Sequence, residues 1–381
     1  MSLRREKCTK KINENGLDGV LFATGANFQY ISECYNYFWQ RASMHNIAGR
    51  HTAKLLPETL AYLNKNGELT IVTIPQYKNM FPNCKVVVSY MDHFEDTLST
   101  VIDGKNIGIG FDCNEFLKDT LKEVDPEIIT SDAEYLFCDL MAIKDEEEIA
   151  IMRRLAKFTD DAIMHVVSNL KEGMTQFEVE KMIMDYGIEH NIQDFSFSPT
   201  AGFKTRGTFT KEENFIFPRT SQLVEGTAIA FDVGYMDQGY CSDWGRTVYF
   251  GKAPEYVKNG YKALHDAQKY MVSKIVPYQT KASDLYKLVL EEVTRQGYDH
   301  VLRWKEEEML GHQIGIDCHN YPMLNKKFDD ILKPGMIFCS EPKMMFEGEC
   351  FMRIEDMILV TETGAEFLTN FPRDLFEVHH D

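Results

Sequence analysis

A β-hairpin with acidic residues on facing strands is the feature that most constrains this chain. The stretch GTAIAFDVGYMDQGYCSDWGRTVYFG has β-rich runs on both sides of a turn-like segment. If Asp237 and Gln238 form the turn, Asp232 lies directly opposite Asp243. Opposed Cβ atoms lie about 4.5 to 5.5 Å apart, and like charges there destabilise the pair. The hairpin therefore predicts a bound cation or strongly shifted protonation.

A second hairpin near the C-terminal end repeats this arrangement. The runs KPGMIFCSEPKMMF and CFMRIEDMILVT flank a turn centred on Gly348, and the resulting register pairs Glu341 with Glu355. A single β-bulge in either hairpin would move one acid to the other face of its sheet. Two hairpins that each oppose two acids favour a shared metal site over four solvated strand residues.

The segment GHQIGIDCHNYP supplies the nitrogen ligand that four carboxylates lack. It contains His312 and His319 in a glycine-flanked stretch. Carboxylates with one imidazole suit manganese, cobalt, iron or zinc better than calcium, which prefers oxygen ligands alone. Five ligands exceed the needs of one tetrahedral zinc, whereas two neighbouring ions can share carboxylates and activate a water. The predicted chemistry is metal-activated hydrolysis, with the metal identity left open.

Composition and charge restrict the function class further. The chain has 381 residues, with 59 Asp and Glu against 41 Lys and Arg, a formal net charge of −18. Its dispersed basic residues argue against nucleic acid, because binding phosphates requires clustered Lys and Arg. No stretch approaches the roughly 20 apolar residues of a membrane span, and the start lacks a secretory signal. Nine cysteines without a CxxC pair fit reduced thiols. We expect a cytoplasmic protein that binds neither membranes nor nucleic acid.

The order of helical and β-rich runs predicts two domains. The first third alternates runs such as LDGVLFAT with helical stretches such as NEFLKDTLKEV, a pattern typical of a small α/β domain. A long amphipathic helix with acids in its first turn opens the second region near residue 145. Further helices are expected over residues 255–275 and from Ser283, as N-cap, to Arg295. We place the domains at 1–138 and 139–381.

These motifs resemble the pita-bread metallohydrolases, the family of prolidase, aminopeptidase P, methionine aminopeptidase and creatinase. The local sequences FDVG, GYCSDWGRT, GHQIGID, SEP and RIED are similar to the family's ligand motifs, in the same order. The resemblance implies an α+β fold class, with a pita-bread catalytic domain and a smaller N-terminal α/β domain of the creatinase type. It implies five metal ligands: Asp232, Asp243, His312, Glu341 and Glu355.

The resemblance also implies roles for these ligands. Two divalent metal ions are expected, with manganese or cobalt favoured over zinc or iron. Asp232 would chelate one ion, while His312 and Glu341 would hold the other. Asp243 and Glu355 would bridge the two ions. A hydroxide that also bridges the ions would then attack a C–N bond.

Three catalytic residues follow from the same resemblance. Glu341 would accept the proton of the attacking water. His319 matches a second family histidine that binds substrate or stabilises the tetrahedral intermediate. Arg353 matches an arginine that orients the carboxylates through charge-assisted hydrogen bonds.

The substrate side departs from the family pattern. Prolidase and aminopeptidase P have a further substrate-contacting histidine before the first Asp ligand, where this chain has Phe215. Met345 stands in place of the tyrosine that aminopeptidase P carries shortly after SEP. Both changes make the substrate side more apolar, so they place the peptidase assignment in question while leaving the metal ligands intact.

An aromatic and basic segment, ECYNYFWQRASMHNIAGRHT, lies in the first domain. In related proteins a loop of this domain reaches the partner subunit's site, so Trp39 and Arg41 could line a neighbour's pocket and bind a substrate carboxylate. The alternative is a partly buried loop with solvated charges. Lys204 and Arg206 are further candidates for the same role, although surface charge explains them equally well. The resemblance implies a homodimer.

The predicted function is metal-dependent hydrolysis by a proline dipeptidase or Xaa-Pro aminopeptidase acting on short peptides. The alternative is a small non-peptide C–N substrate, as in ectoine hydrolase. A lyase of the dimethylsulfoniopropionate type is disfavoured, because Gly234 and His319 stand where that enzyme has acids. A binding module without catalysis is disfavoured by the retention of all five ligand types.

Overall fold

The structure is a computed structural model that describes residues 2–35, 46–48, 55–90, 93–210 and 217–379. It divides into two units, Met1–Met141 and Ala142–Asp381. That the chain folds as two domains with a boundary after residue 138 stays a prediction. Limited proteolysis would test it. Among the helices within the described ranges, none has both the length and the hydropathy that crossing a bilayer requires.

The first unit contains a mixed sheet covered by helices. Its strands follow the order β6-β5-β4-β1-β7-β8, with β1 parallel to β7 and antiparallel to β4. A core forms where α3 and α4 bury leucine and phenylalanine side chains against these strands. The helices are α1 (Leu3–Glu14), α2 (Ala26–Ser32), α3 (Phe94–Val101), α4 (Glu115–Val124) and α5 (Cys138–Ala142), with a 3₁₀ turn at Pro75–Met80. The strands are β1 (Gly19–Ala23), β2 (Asn46–Ala48), β3 (Leu55–Pro57), β4 (Thr59–Asn64), β5 (Leu69–Thr73), β6 (Lys85–Val88), β7 (Asn106–Ile109) and β8 (Ile129–Asp132).

The second unit is built on a large sheet whose main path is antiparallel. Its main path runs β10-β11-β14-β19-β17-β15-β16, while β18 and β20 also pair with β19. The helices are α6 (Glu146–Ser168), α7 (Gln176–Glu189), α8 (Glu255–Lys274) and α9 (Leu285–Arg295), with a 3₁₀ turn at Ala282–Asp284. The strands are β9 (Asp194–Phe195), β10 (Thr200–Thr205), β11 (Thr227–Val233), β12 (Tyr235–Asp237), β13 (Tyr240–Cys241), β14 (Trp244–Phe250), β15 (Gly311–Gln313), β16 (Asn320–Leu324), β17 (Ile337–Ser340), β18 (Lys343–Phe346), β19 (Cys350–Val360), β20 (Ala365–Phe367) and β21 (Phe376–Val378).

Local sequence explains where the helices of this unit begin. The long helix α6 starts with a capping box, in which Asp145 and Glu148 each accept a backbone N–H of the other. The prediction that Ser283 caps α9 is wrong. Ser283 instead donates its hydroxyl to Asp329 at 2.7 Å, and the helix proper begins after a 3₁₀ turn, at Leu285. Ser283 lies inside that 3₁₀ turn, so it does not occupy the position directly before α9.

The register predicted for the first hairpin is also wrong, by two residues. Gln238 and Gly239 both have positive φ, 48° and 75°, so they form the two-residue turn. Asp232 consequently pairs with Gly245 rather than with Asp243. Since side chains alternate with a period of two, a shift of two residues keeps both acids on the same face, as diagonal neighbours.

The register predicted for the second hairpin is confirmed. Phe346 pairs with Cys350, and Ser340 pairs with Asp356 on the other side of the strand break. Glu341 and Pro342 lie between β17 and β18, so Glu341 projects from the end of a strand at the level of Glu355. The two hairpins are joined because β14 pairs with β19, which places Gly245 opposite Glu355.

Candidate metal centre

Four side chains from four strands or strand ends converge on one buried point. Asp243, His312, Cys339 and Glu355 offer ligand atoms that all lie within 4.8 Å of one another. The Nε2 atom of His312 is 3.5 Å from Oδ2 of Asp243 and 4.0 Å from Oε1 of Glu355. Antiparallel pairing sets this arrangement, because His312 lies opposite Cys339 in the ladder between β15 and β17. An oxygen, nitrogen and sulfur donor set of this kind suits a transition metal.

His312 is oriented by its own backbone. Its Nδ1 lies 3.1 Å from the carbonyl oxygen of Gln313, so the hydrogen-bond pattern assigns the proton to Nδ1 and the lone pair to Nε2. Burial lowers the pKa of His312 to about 4, and the neighbouring His319 adds to the shift. Gly311 lets β15 approach β17 this closely, because a Cβ there would meet the carbonyl oxygen of Cys339 at 2.0 Å. The imidazole is therefore neutral and ready to bind a metal.

Asp232 and Glu341 border this cluster on its more open side. Their side chains are 31% and 15% exposed, against 5% for Asp243 and 2% for Glu355. Asp232 forms an ion pair with Arg353, whose Nη1 also lies 3.9 Å from Oε2 of Glu355. All five predicted ligands thus face one region, and Asp232 and Glu341 are the more exposed of its acids.

Arg353 reaches Asp232 by crossing over a glycine. Gly245 lies between Asp232 and Glu355 in the sheet, and a Cβ on it would come within 2.4 Å of Cδ of Arg353. The absent side chain leaves a channel for the guanidinium. Burial opposes the charge of Arg353, but the surrounding carboxylates outweigh burial and raise its pKa above the ordinary value.

The charges at the centre are unbalanced. Burial and the neighbouring Asp232 raise the pKa of Asp243 well above its ordinary value. Burial and Asp243 do the same to the pKa of Glu355. Oδ1 of Asp243 is buried without a hydrogen-bond partner among the described residues. Buried carboxylates with unused acceptors need cations, so these residues fit a divalent metal site.

Glu341 has a different environment from the two buried acids. Burial alone would raise its pKa, but the charges of Lys343 and Arg353 outweigh it and lower the pKa. Nζ of Lys343 donates to Oε2 of Glu341 and lies 4.2 Å from the ring centroid of Trp304. This carboxylate is accordingly held ionised at the open edge of the cluster.

Some of the remaining predicted residues lie within the described part of the chain, and others lie outside it. His319 lies beside His312, with ring centroids 4.1 Å apart and the ring planes tilted by 52°. Trp39, Arg41 and Phe215 lie outside the described residues, so their substrate roles stay predictions. Lys204 is buried over Phe217, with its Nζ 4.9 Å from the ring centroid, and Arg206 pairs with Glu349 at 2.7 Å. Lys204 and Arg206 therefore both contact side chains of the second unit.

Sequence reasoning missed two thiols at this centre. Cys339 lies in the donor cluster, and Sγ of Cys318 is 3.1 Å from Oδ2 of Asp243. The signal was present, since Cys339 precedes Glu341 by two residues and so shares its strand face. Cys318 adjoins His319 in a loop, where no periodicity predicts its direction.

Sequence similarity relates this chain to a family of metallopeptidases. The model of metallopeptidase family M24 matches residues 150–362, more than half of the chain. The uncharacterized peptidase YqhT of Bacillus subtilis (strain 168) is 27% identical, over 98% of this chain and 99% of its own length. The Xaa-Pro dipeptidase of Pyrococcus furiosus is 24% identical, over 98% of this chain and 100% of its own.

Solved structures resemble the whole chain. A prolidase from Thermococcus sibiricus matches with a TM-score of 0.83 at 23% identity, over 99% of each chain. An X-Pro aminopeptidase from Thermotoga maritima matches with a TM-score of 0.77 at 21% identity, over 98% of this chain and 99% of its own. At these identities the likeness shows the fold alone. The predicted α+β class with a pita-bread domain is confirmed.

Proposed function

Because the chain belongs to metallopeptidase family M24, and is therefore a metal-dependent peptidase, we propose that it cleaves short peptides at proline with two divalent metal ions. The proposed reaction is that of a proline dipeptidase or an Xaa-Pro aminopeptidase. The convergence of two hairpins and His312 on one buried, acid-rich point is the observation that carries the proposal. The full-length similarity to a protein named Xaa-Pro dipeptidase supports it.

Asp232, Asp243, His312, Glu341 and Glu355 would hold the ions. Bound divalent ions would supply an activated water and Lewis acidity at the scissile carbonyl, and manganese or cobalt is our first choice for the mixed oxygen and nitrogen set. Cys339 adds a sulfur donor within the same cluster. Zinc and iron therefore stay on the list of metals to test.

Glu341 would act as the proton acceptor. It is the acid of this group with a lowered pKa and an exposed edge, so at neutral pH it is ionised and within reach of a water. The ammonium of Lys343 contacts the same carboxylate, and its charge keeps that group anionic. A carboxylate held in this way can take a proton and pass it to a leaving nitrogen.

Arg353 and His319 would position the other reacting groups. Arg353 links Asp232 to Glu355 across the glycine channel and so fixes two ligands at once. His319 lies beside His312 and would present a hydrogen-bond donor to a substrate oxygen.

Proline at the cleaved bond sets what the site must recognise. A proline imide nitrogen has no N–H, so a selective site has to read the ring shape and the terminal charges of the peptide. Met345, on β18, is half-buried and offers an apolar surface two residues beyond Lys343. An apolar wall of this kind favours a ring over a polar side chain.

The test is hydrolysis of a peptide panel. Manganese-loaded and cobalt-loaded protein is assayed with Ala-Pro, Gly-Pro, Leu-Pro and Ala-Pro-Pro, and with Ala-Ala as the reference lacking proline. Cleavage of the proline dipeptides supports a dipeptidase, and release of Ala from Ala-Pro-Pro supports an aminopeptidase. Glu341→Gln should abolish either activity, which excludes a contaminating peptidase.

Glu366→Gln serves as the matched control. Glu366 lies on β20, where it forms an ion pair with Arg153 at the surface, so this change should leave activity intact. Equal cleavage of Ala-Ala would contradict the proline preference. No cleavage of any peptide by metal-loaded protein would contradict the proposal and favour a small non-peptide C–N substrate.

A further inference from the structure

Two cysteines of the first unit converge on one carbonyl oxygen. Sγ of Cys34 lies 3.3 Å from the backbone oxygen of Ser32, and Sγ of Cys84 lies 3.7 Å from the same atom. Because both Sγ atoms lie against this one oxygen, the two side chains are neighbours. Both are half-buried, whereas Cys8, Cys113, Cys241, Cys318, Cys339 and Cys350 are fully buried. Solvent-borne reagents can therefore reach this pair.

The backbone around Ser32 fixes Cys34 in this position. Helix α2 ends at Ser32, and Glu33 adopts a left-handed conformation with φ 56° that turns the chain back. The amide N–H of Cys34 then donates to Oγ of Ser32 at 3.3 Å. Cys84 arrives from the loop immediately before β6. The pair is thus set by two elements that are far apart in sequence but adjacent in the fold.

The two thiols differ in reactivity. The hydrogen bond from Cys84 lowers the pKa of Cys34 to about 7, despite its burial. The same bond, together with burial, raises the pKa of Cys84 above the ordinary value. The charged groups beside the pair are Arg5 on α1, which favours the thiolate, and Glu33, which opposes it. The lowered pKa means that Cys34 carries more thiolate at neutral pH than an ordinary thiol.

Fully buried thiols show the opposite behaviour. Burial raises the pKa of Cys8, Cys113 and Cys350 to about 12. Such thiols are neither ionised nor accessible, so oxidants react with them slowly. A low-pKa thiol next to a second, protonated thiol is the arrangement found in redox-sensitive pairs.

We propose that Cys34 and Cys84 form an oxidation site, in which a hydroperoxide converts the two thiols into a reversible disulfide. Cys34 is the attacking thiol and Cys84 the resolving thiol. This site is independent of the proposed peptidase activity, since none of the metal ligands takes part in it.

The reaction balances with hydrogen peroxide as the oxidant. The Cys34 sulfur attacks one peroxide oxygen, the O–O bond breaks, and the departing hydroxide leaves as water after taking a proton. The Cys84 sulfur then attacks the Cys34 sulfenic acid, the S–O bond breaks, and a second water leaves with the proton of Cys84. Two thiols and one peroxide thus give one disulfide and two waters.

The test is oxidation of the full-length protein followed by peptide mapping. Reduced protein is exposed to limiting hydrogen peroxide, alkylated and digested, and the cysteine-containing peptides are quantified by mass spectrometry. We expect the Cys34–Cys84 cross-linked peptide to accumulate at least about tenfold faster than oxidation of Cys138, the third half-buried cysteine. Equal rates, or oxidation of Cys34 and Cys84 without a cross-link, would overturn the proposal.

Single variants test the order of the two steps. In Cys84→Ser, dimedone should trap a sulfenic acid on Cys34. In Cys34→Ser, Cys84 should stay reduced under the same treatment. Cys138→Ser is the matched control and should cross-link like the wild type. If Cys84 reacts with peroxide in Cys34→Ser as fast as in the wild type, Cys34 is not the attacking thiol and the assignment fails.

Discussion

The two faces of the sheet at β14 and β19 differ in how many cations surround their buried carboxylates. Glu355 and Asp356 are neighbours on β19, so their side chains point to opposite faces. On one face, Glu355 joins Asp243 among acids that lack enough cations. On the other, Asp356 contacts Arg246 and Arg373, and both charges outweigh burial to lower its pKa.

The face of Asp356 needs no bound ion, whereas the face of Glu355 does. We call the Asp356 face complete in the sense that this carboxylate is paired with two arginines and also accepts a hydrogen bond from the hydroxyl of Thr369. Nη1 of Arg246 donates to the backbone oxygens of Gly245 and Glu355, so this ion pair holds the backbone beneath the metal centre. The Glu355 face is incomplete until cations bind. The paired face therefore fixes the backbone on which the unpaired face positions its ligands.

Removal of an acid from the incomplete face should affect activity most. Asp243→Asn removes a ligand, so we expect loss of bound metal and a fall in peptide hydrolysis of more than about a thousandfold, near 4 kcal/mol of transition-state stabilisation. The metal-free variant should melt at or above the wild-type temperature, since like-charge repulsion is relieved. A metal-loaded, active variant would refute the ligand assignment.

Removal of an acid from the complete face should instead affect folding. Asp356→Asn leaves Arg246 buried beside a neutral amide, and a broken buried ion pair costs about 3 to 5 kcal/mol. Chemical denaturation of the metal-free protein would measure this loss. Equal stability of Asp243→Asn and Asp356→Asn would remove the distinction between the faces.

Blocking the glycine channel should have an intermediate effect. Gly245→Ala places a methyl group 2.4 Å from Arg353, which must move away from Asp232. We expect metal affinity and activity to fall about 10-fold to 100-fold, as for other groups that orient metal ligands. Gly364→Ala is the control, because its nearest neighbour is 3.8 Å away. A full-activity Gly245→Ala protein would show that Arg353 does not need this path.

Changing the sulfur donor should alter metal preference more than activity. Cys339→Ser replaces a soft ligand with a hard one, so we expect affinity for zinc to fall about tenfold and affinity for manganese to change little. Competition with a metal-sensitive dye would measure both constants. The control is Cys350→Ser, since Cys350 is buried outside the donor cluster. An equal effect on both metals would argue against sulfur ligation.

The smallest effect concerns pH. The raised pKa values of Asp243 and Glu355 mean that folding favours their protonated forms, so their contribution to stability falls as pH rises above the ordinary carboxyl range. His312, with a pKa lowered to about 4, contributes in the opposite direction up to its ordinary value of 6.5. Above pH 6.5 the carboxylates lower stability, while Cys34, whose pKa is lowered to about 7, contributes in the opposite direction.

Metal-free protein carrying Cys34→Ser should therefore lose stability as the pH rises from about 6.5 to about 8. Bound metal should abolish this slope, because it favours the ionised carboxylates. Thermal melts with and without manganese would measure the difference. A metal-free protein whose stability rises over this range would contradict the description of the incomplete face.

The sequence predicted the parts of the site that depend on local pattern. Turn residues and alternation were enough to bring Asp232, Asp243, Glu341 and Glu355 together, even though one register was displaced by two residues. The displacement did no harm because an even shift preserves the face. Choosing between Asp237-Gln238 and Gln238-Gly239 as the turn required backbone angles that the sequence does not display.

Contacts between distant segments could not be predicted in this way. Arg246 and Asp356 are 110 residues apart, and Cys34 and Cys84 are 50 residues apart, with β4 and β5 between them. No periodicity relates such pairs, so only the tertiary fold shows that each is adjacent. The hydrogen bond from Ser283 to Asp329 is another such contact, between residues 46 positions apart.

The most direct test of the two-metal site is a crystal structure of the cobalt-loaded protein with anomalous data collected at the cobalt edge. We expect two anomalous peaks on the incomplete face, coordinated by Asp232, Asp243, His312, Glu341 and Glu355. No peak on that face, or an ion on the Asp356 face, would contradict it.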